Sequence, residues 1–168
     1  FAADLVLAGA DRRPAFPGPA RRDLQVRARL VDAVCESYVT AWRTDVWSAA
    51  DITLGLANLN SLWQRAGRMS ETLRPRSCVA IVVPPGSAEV MGAIVKADLL
   101  RSAGAAVRMI LEPDDDGVLS ALARLDADAV IVAGPRIGIG DDGTRAATLA
   151  QAIRAAHPAT PTHLGGAE

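Results

Sequence analysis

Hydrophobic residues recur at helical spacing in the first half of the chain. Over 22–43 the apolar positions are separated by three, four or seven residues, which is the signature of a helix with one buried face. The pattern predicts a helix of about 20 residues. The positions are Leu24, Leu30, Val31, Val34, Cys35, Tyr38, Val39 and Trp42.

A second helix is predicted after a polar turn. Ser48 and Asp51 have the spacing of a capping box, in which the serine accepts from a backbone N–H of the first turn and the acid reaches back. The apolar residues of 52–69 then repeat at helical period. This helix should end near Leu73, because Pro75 restricts the residue before it and cannot continue the hydrogen-bond ladder.

The domain organisation follows from these two helices. Three prolines and a glycine between 12 and 19 argue against a continuous helix there, so 1–21 is interpreted as a linker and a short helix. Residues 22–75 are predicted to form an antiparallel helical cap whose apolar face needs a covering surface.

The pattern changes at residue 76, where short apolar runs begin to alternate with helical segments. Alternation of this kind predicts an α/β subdomain over 76–168 with a parallel, flavodoxin-like sheet, truncated at its C-terminus. Ligands of such sheets bind beyond the carboxyl ends of the strands. The predicted strands are Cys78–Val83, Ala106–Leu111, Ala129–Ala133 and Thr162–Leu164, and the predicted helices are Ser87–Ser102, Asp115–Leu125 and Arg145–Ala156.

Composition and charge narrow the classes of function. Half of the residues are hydrophobic, 22% are charged and the net charge is −1, which argues against direct binding to nucleic acid. Two cysteines without CxxC spacing indicate reduced thiols in a cytoplasmic protein. We find neither an apolar run long enough to cross a membrane nor an export signal. The start at Phe1, without a methionine, suggests a segment of a longer protein.

Two motifs that often carry chemistry have simpler explanations here. The G-x-G-x-x-G of 138–143 follows the third strand and would set Asp141 and Asp142 against a pyrophosphate, so a helix cap is favoured over a dinucleotide site. The acidic run at 114–116 lacks the other ligands of a calcium loop and is interpreted as a turn and a cap. With two histidines, the supply of catalytic bases is small, and we predict a non-catalytic domain.

The loop after the first predicted strand carries a resemblance to a known family. Cobalamin-binding domains have D-x-H-x-x-G at this place, and here Ser87, Glu89 and Gly92 stand at the three positions. Glu89 is a poor substitute for the histidine that ligates cobalt, so cobalamin is not the expected cofactor. A helix N-cap at Ser87 and an acid in the first turn at Glu89 also explain these residues.

Two further positions and the helical cap extend the resemblance. Ala133 stands where the family has a serine or threonine, and Gly165 and Gly166 match its glycine pair. Residues 42–56 resemble the cap of the tetrapyrrole (heme) sensor domains in photosynthesis antirepressors of the AppA and AerR type, with Glu89 closer to the AppA pattern. The resemblance implies a sensor behind neighbouring domains such as a flavin-binding light sensor, and a transcriptional repressor of the PpsR type as partner.

The same resemblance implies heme as the ligand, for which His163 and His157 are the candidate imidazole donors. Trp47 is the tryptophan expected to face a pocket, although tryptophans at helical spacing are commonly core residues. Met91 is a sulfur alternative near the loop. Two other functions remain open, namely a cobalamin carrier domain of a methyltransferase or mutase, and a nucleotide-binding flavodoxin-like enzyme.

Overall fold

A computed structural model describes residues 1–7, 14–67, 77–87, 90–134 and 143–165. The chain forms two compact units, Phe1–Arg68 and Met69–Glu168. The first unit is helical and the second contains the sheet. The described residues include no helix that is both long and apolar enough to span a membrane.

The helical unit consists of two short and two long helices, which are α1 (Ala2–Val6), α2 (Gly18–Arg22), α3 (Leu24–Arg43) and α4 (Ala49–Arg65). Asp23 caps α3 by accepting from the amides of Gln25 and Val26. The capping box predicted for α4 is confirmed, since Ser48 accepts from the Asp51 amide at 3.2 Å and Asp51 accepts from the Ser48 amide at 2.9 Å. Both long helices therefore begin at locally encoded caps.

The end of α4 differs from the prediction. The helix stops at Arg65 rather than near Leu73, and Gly67 follows in a left-handed conformation with φ of +90°. Glycine adopts this conformation without steric cost and commonly terminates helices. The helix therefore ends just before Gly67, upstream of Pro75.

The N-terminal residues also differ from the expected linker. Leu5 and Phe16 are buried, α1 packs on α4, and α2 packs on α3. Proline is tolerated in the first turn of a helix, where its missing N–H has no intrahelical partner in any case. Pro17 is the N-cap of α2 and Pro19 lies in its first turn, so the described part of 1–21 belongs to the helical unit.

A buried arginine joins the helices of this unit. Arg27 of α3 donates through Nε to the carbonyl of Ala20 at 3.0 Å and through a terminal nitrogen to that of Arg21 at 3.0 Å. Its guanidinium lies 5.6 Å from the ring centre of Phe16 and 5.5 Å from that of Trp63. The side chain therefore ties α2 to α3 by charge-assisted hydrogen bonds and cation–π contacts.

The second unit alternates strands and helices as predicted, with boundaries shifted by a few residues. All four strands are parallel and lie in the order β2-β1-β3-β4, which is the flavodoxin-like arrangement. The elements are β1 (Cys78–Val82), α5 (Val90–Ser102), β2 (Ala106–Ile110), α6 (Asp115–Ala123), β3 (Ala129–Ala133), α7 (Thr144–Ala156) and β4 (Thr162–Gly165).

The helices lie on both faces of the sheet because the chain changes direction after β2. Parallel crossovers share one hand, so the step from β1 to β2 and the return to β3 place their helices on opposite faces. Residues of α5 pack on one face with Val79, Ile81 and Val107. Residues of α6 and α7 pack on the other face with strand residues that include Val130 and Val132.

Two helix starts in this unit bear on the motifs considered above. Asp114 caps α6, accepting from the Gly117 amide at 2.7 Å, and this confirms the interpretation of the acidic run as a cap. Helix α7 begins after Gly143, which is its N-cap and has a φ of +87°. The N-cap of α7 is therefore Gly143. The predicted caps Asp141 and Asp142 lie outside the described residues, as does the rest of the G-x-G-x-x-G motif.

Candidate functional site

The loop after β1 forms a tight turn at the carboxyl edge of the sheet. The Ser87 amide donates to the carbonyl of Pro84 at 3.0 Å, and Gly86 has a φ of +78°. Proline followed by a glycine of positive φ is the pattern of a type II turn. Because the turn itself uses the Ser87 amide, this amide is not available to hold a phosphate, which weakens the case for a nucleotide site.

Of the remaining positions of the D-x-H-x-x-G resemblance, the structure describes Gly92. Glu89 lies outside the described residues. Met91 is buried in the first turn of α5, and Gly92 beside it is half-buried. The thioether of Met91 is therefore part of the packed interior.

Strands β3 and β4 present a second group of predicted residues. Ala133 pairs with Gly165, and Ile131 pairs with His163. Alternate residues of a strand point to opposite faces, and residues paired in register point to the same face. Ile131 and Ala133 pack against the cluster on the α5 side, so all four positions belong to that face, which we call the β3–β4 half-face.

On β3, the side that belongs to the β3–β4 half-face is less covered than the opposite side. Val130 and Val132 are 2% and 0% exposed under α7, whereas Ile131 and Ala133 are half-buried and His163 is exposed. Helix α5 packs mainly on β2 and β1, and α7 packs on β3 and β4 from the other side. The half-face thus combines an apolar floor with an exposed imidazole.

A lysine that sequence reasoning did not single out completes this surface. The Nζ of Lys96, on α5, lies 2.8 Å from the position that a Cβ on Gly165 would occupy. Lys96 is the only lysine in the chain, beside 17 arginines. Its rarity was the one signal in the sequence, and only the packing of α5 against the sheet shows where its amine goes.

The other predicted site residues lie elsewhere. His157 is the C-cap of α7, at the edge of the sheet where β4 begins, and its amide donates to Ile153 at 2.8 Å. Trp47 belongs to the helical unit and packs edge-on against Tyr38, with ring centres 5.4 Å apart. Gly166 lies outside the described residues. His157 therefore lies before β4 in the chain, whereas His163 is the second residue of that strand.

Known proteins offer no direct assignment of this surface. Neither the models of known protein families nor the curated proteins include one that matches this chain. Within the part of the chain that the structure describes, no three His, Cys, Asp or Glu side chains are grouped to hold a metal ion. The chemistry of the half-face therefore depends on a single imidazole, a single ammonium and the apolar floor.

Proposed function

We propose that this chain is a non-catalytic regulatory domain that binds a tetrapyrrole, heme, on the β3–β4 half-face and contacts a transcriptional repressor of the PpsR type. The observation that carries the proposal is the exposed His163 above the half-buried Ile131 and Ala133. A large apolar ring needs apolar surface below it and few polar groups, and heme iron is commonly held by one histidine.

The chemistry of the half-face is compatible with this ligand. His163 would hold the iron, and Ile131 and Ala133 would supply apolar surface beside it. When bound, heme supplies an iron centre that changes its ligands or redox state. The chain's own part is to offer the imidazole, to exclude water from one side of the ring and to convert occupancy into a changed surface.

The proposed regulatory role includes a protein partner. On the helical unit, Val46 is 67% exposed and Leu54 is 48% exposed. These two residues are candidates for a partner contact to be tested, and the near-neutral charge gives no support for direct contact with DNA. Action through a cytoplasmic repressor protein is therefore favoured over action on nucleic acid.

The first experiment is a hemin titration of the 168-residue chain, with absorbance and tryptophan fluorescence as readouts. We expect saturation at one equivalent with a shifted Soret band. His163→Ala should abolish the shifted band, and His157→Ala is the matched control that should preserve it, because these are the only two histidines. Equal spectra for both variants, or no saturable binding by the native chain, would refute heme ligation at His163.

A parallel titration with hydroxocobalamin tests the carrier function. Tight cobalamin binding by the native chain would overturn the argument from Glu89, and Glu89→His is the control that restores the family's ligand.

Partner binding is tested with a purified PpsR-type repressor, with and without hemin. We expect hemin to change the affinity of the chain for the repressor. An affinity for the repressor that does not depend on hemin would refute the sensor role and indicate a protein-binding scaffold.

A further inference from the structure

Gly165 is a glycine because of the space around it, and not because of its backbone conformation. Among the described glycines, positive φ values occur at Gly67, Gly86, Gly104 and Gly143, but not at Gly165. A Cβ at Gly165 would lie 2.8 Å from the Lys96 Nζ, 3.1 Å from Cγ2 of Ile131 and 3.3 Å from the carbonyl oxygen of Val132. The Lys96 amine therefore lies in the space that a side chain at Gly165 would enter.

The choice of lysine over arginine fits the same space. An ammonium is a compact point charge on a flexible stem, whereas a guanidinium is a larger planar group. The stem of Lys96 crosses from α5 towards β4, while its charged end reaches the carboxyl end of that strand. All other basic side chains of the lysine and arginine type in the chain are arginines, so Lys96 alone carries a small side-chain ammonium.

The Lys96 ammonium has no counterion among the residues that the structure describes. The hydrogen bonds and ion pairs of the described residues do not include it, and the nearest acid on its own helix, Asp98, pairs with Arg101 at 3.0 Å. On the strand that Lys96 reaches, the group on the same face is the imidazole of His163, which is no anion. A half-buried cation of this kind favours an anionic group brought by a ligand.

We infer that Lys96, seated over Gly165, binds an acidic group of the ligand that occupies the β3–β4 half-face. This inference rests on the proposed function, and it adds that the ligand must carry a carboxylate at its edge. His163 and Gly165 lie two residues apart on one strand, about 7 Å along β4. The imidazole thus faces the body of a planar ligand, and the ammonium faces its acidic rim.

The test compares hemin with its dimethyl ester, which has the same ring and iron but no carboxylate. For the native chain we expect hemin to bind about tenfold more tightly than the ester, as one charge-assisted hydrogen bond would provide. Lys96→Met keeps the apolar stem and should remove this preference without changing ester affinity. Gly165→Ala keeps the charge but displaces the ammonium, and it should reduce the preference in the same direction.

The chain's single lysine allows a second readout. Acetylation of Lys96, followed by mass spectrometry, should be slowed by hemin and not by the ester. Equal affinity of the native chain for both porphyrins would overturn this inference and leave the proposed function standing. Failure to bind either would refute both. An equal loss for both porphyrins in Lys96→Met would assign the lysine to packing alone.

Discussion

Replacing Gly55 by alanine gives the sharpest test of the packing in the helical unit. Gly55 lies in α4 against the ring of Tyr38, which is 0% exposed. A Cβ at this position would lie 2.5 Å from the Tyr38 Oη, 2.7 Å from its Cζ and 3.0 Å from Cγ2 of Val6. The tyrosine cannot move away freely, since Trp47 packs on it and its hydroxyl donates to the Ala2 carbonyl at 3.4 Å.

Two effects of opposite sign determine the magnitude. Alanine is favoured over glycine inside a helix by about 1 kcal/mol. Overpacking a filled core costs about 1–3 kcal/mol, and contacts this short with a ring held on both sides indicate the upper part of that range. We therefore expect Gly55→Ala to lower the free energy of unfolding of the helical unit by about 1–2 kcal/mol.

The assay is urea denaturation followed by tryptophan fluorescence. All three tryptophans lie in the helical unit, so their signal reports the unfolding of that unit. Ala57→Gly, at an exposed position of the same helix, is the control that measures helix propensity alone and should cost about 1 kcal/mol. A Gly55→Ala chain more stable than the native one would refute the steric reasoning.

Three further predictions concern the same unit. Arg27→Met should lower its free energy of unfolding by about 2–3 kcal/mol, because two carbonyls lose a charged donor, whereas the exposed Arg29→Met should change it little. Ser48→Ala should cost about 1 kcal/mol by urea denaturation at neutral pH. The hydrogen bonds from Ser48 lower the pKa of Asp51, so the stability difference between the native chain and Ser48→Ala should be full above a pH of about 4 and should shrink as the pH falls through the lowered pKa. A stability difference that does not change with pH would contradict this reasoning. Burial raises the pKa of Tyr38 above its unfolded value of about 10, so stability should be lost as pH rises beyond that value, and phenolate absorbance of this single tyrosine should appear only with unfolding.

Much of the fold could be predicted because its determinants are local. The capping box at Ser48 and the acidic cap at Asp114 mark helix starts in a few neighbouring residues. The strand Ala129–Ala133 was predicted with its observed bounds, since a continuous apolar run between polar turns has few other stable conformations. The alternation of elements then requires a parallel sheet.

The errors occurred where two local signals competed. Pro75 predicts a helix end near Leu73, whereas α4 ends at Arg65 and Gly67 follows it in a left-handed conformation. The prolines near residue 17 were interpreted as linker residues, although they open α2 and Phe16 packs into the core. Proline is disfavoured inside a helix but tolerated in its first turn. Whether these prolines lie in a linker or at a helix start is shown only by the burial of the neighbouring Phe16.

The sequence by itself therefore determined the order and type of the elements, because caps, turns and periodicity act over a few residues. The candidate site depended on contacts between distant residues. Only the tertiary structure decided that β3 is less covered on the α5 side, that His163 and not His157 lies beside it, and that Lys96 reaches Gly165. Strand order and helix packing set these relations, and neither is encoded at any single position of the chain.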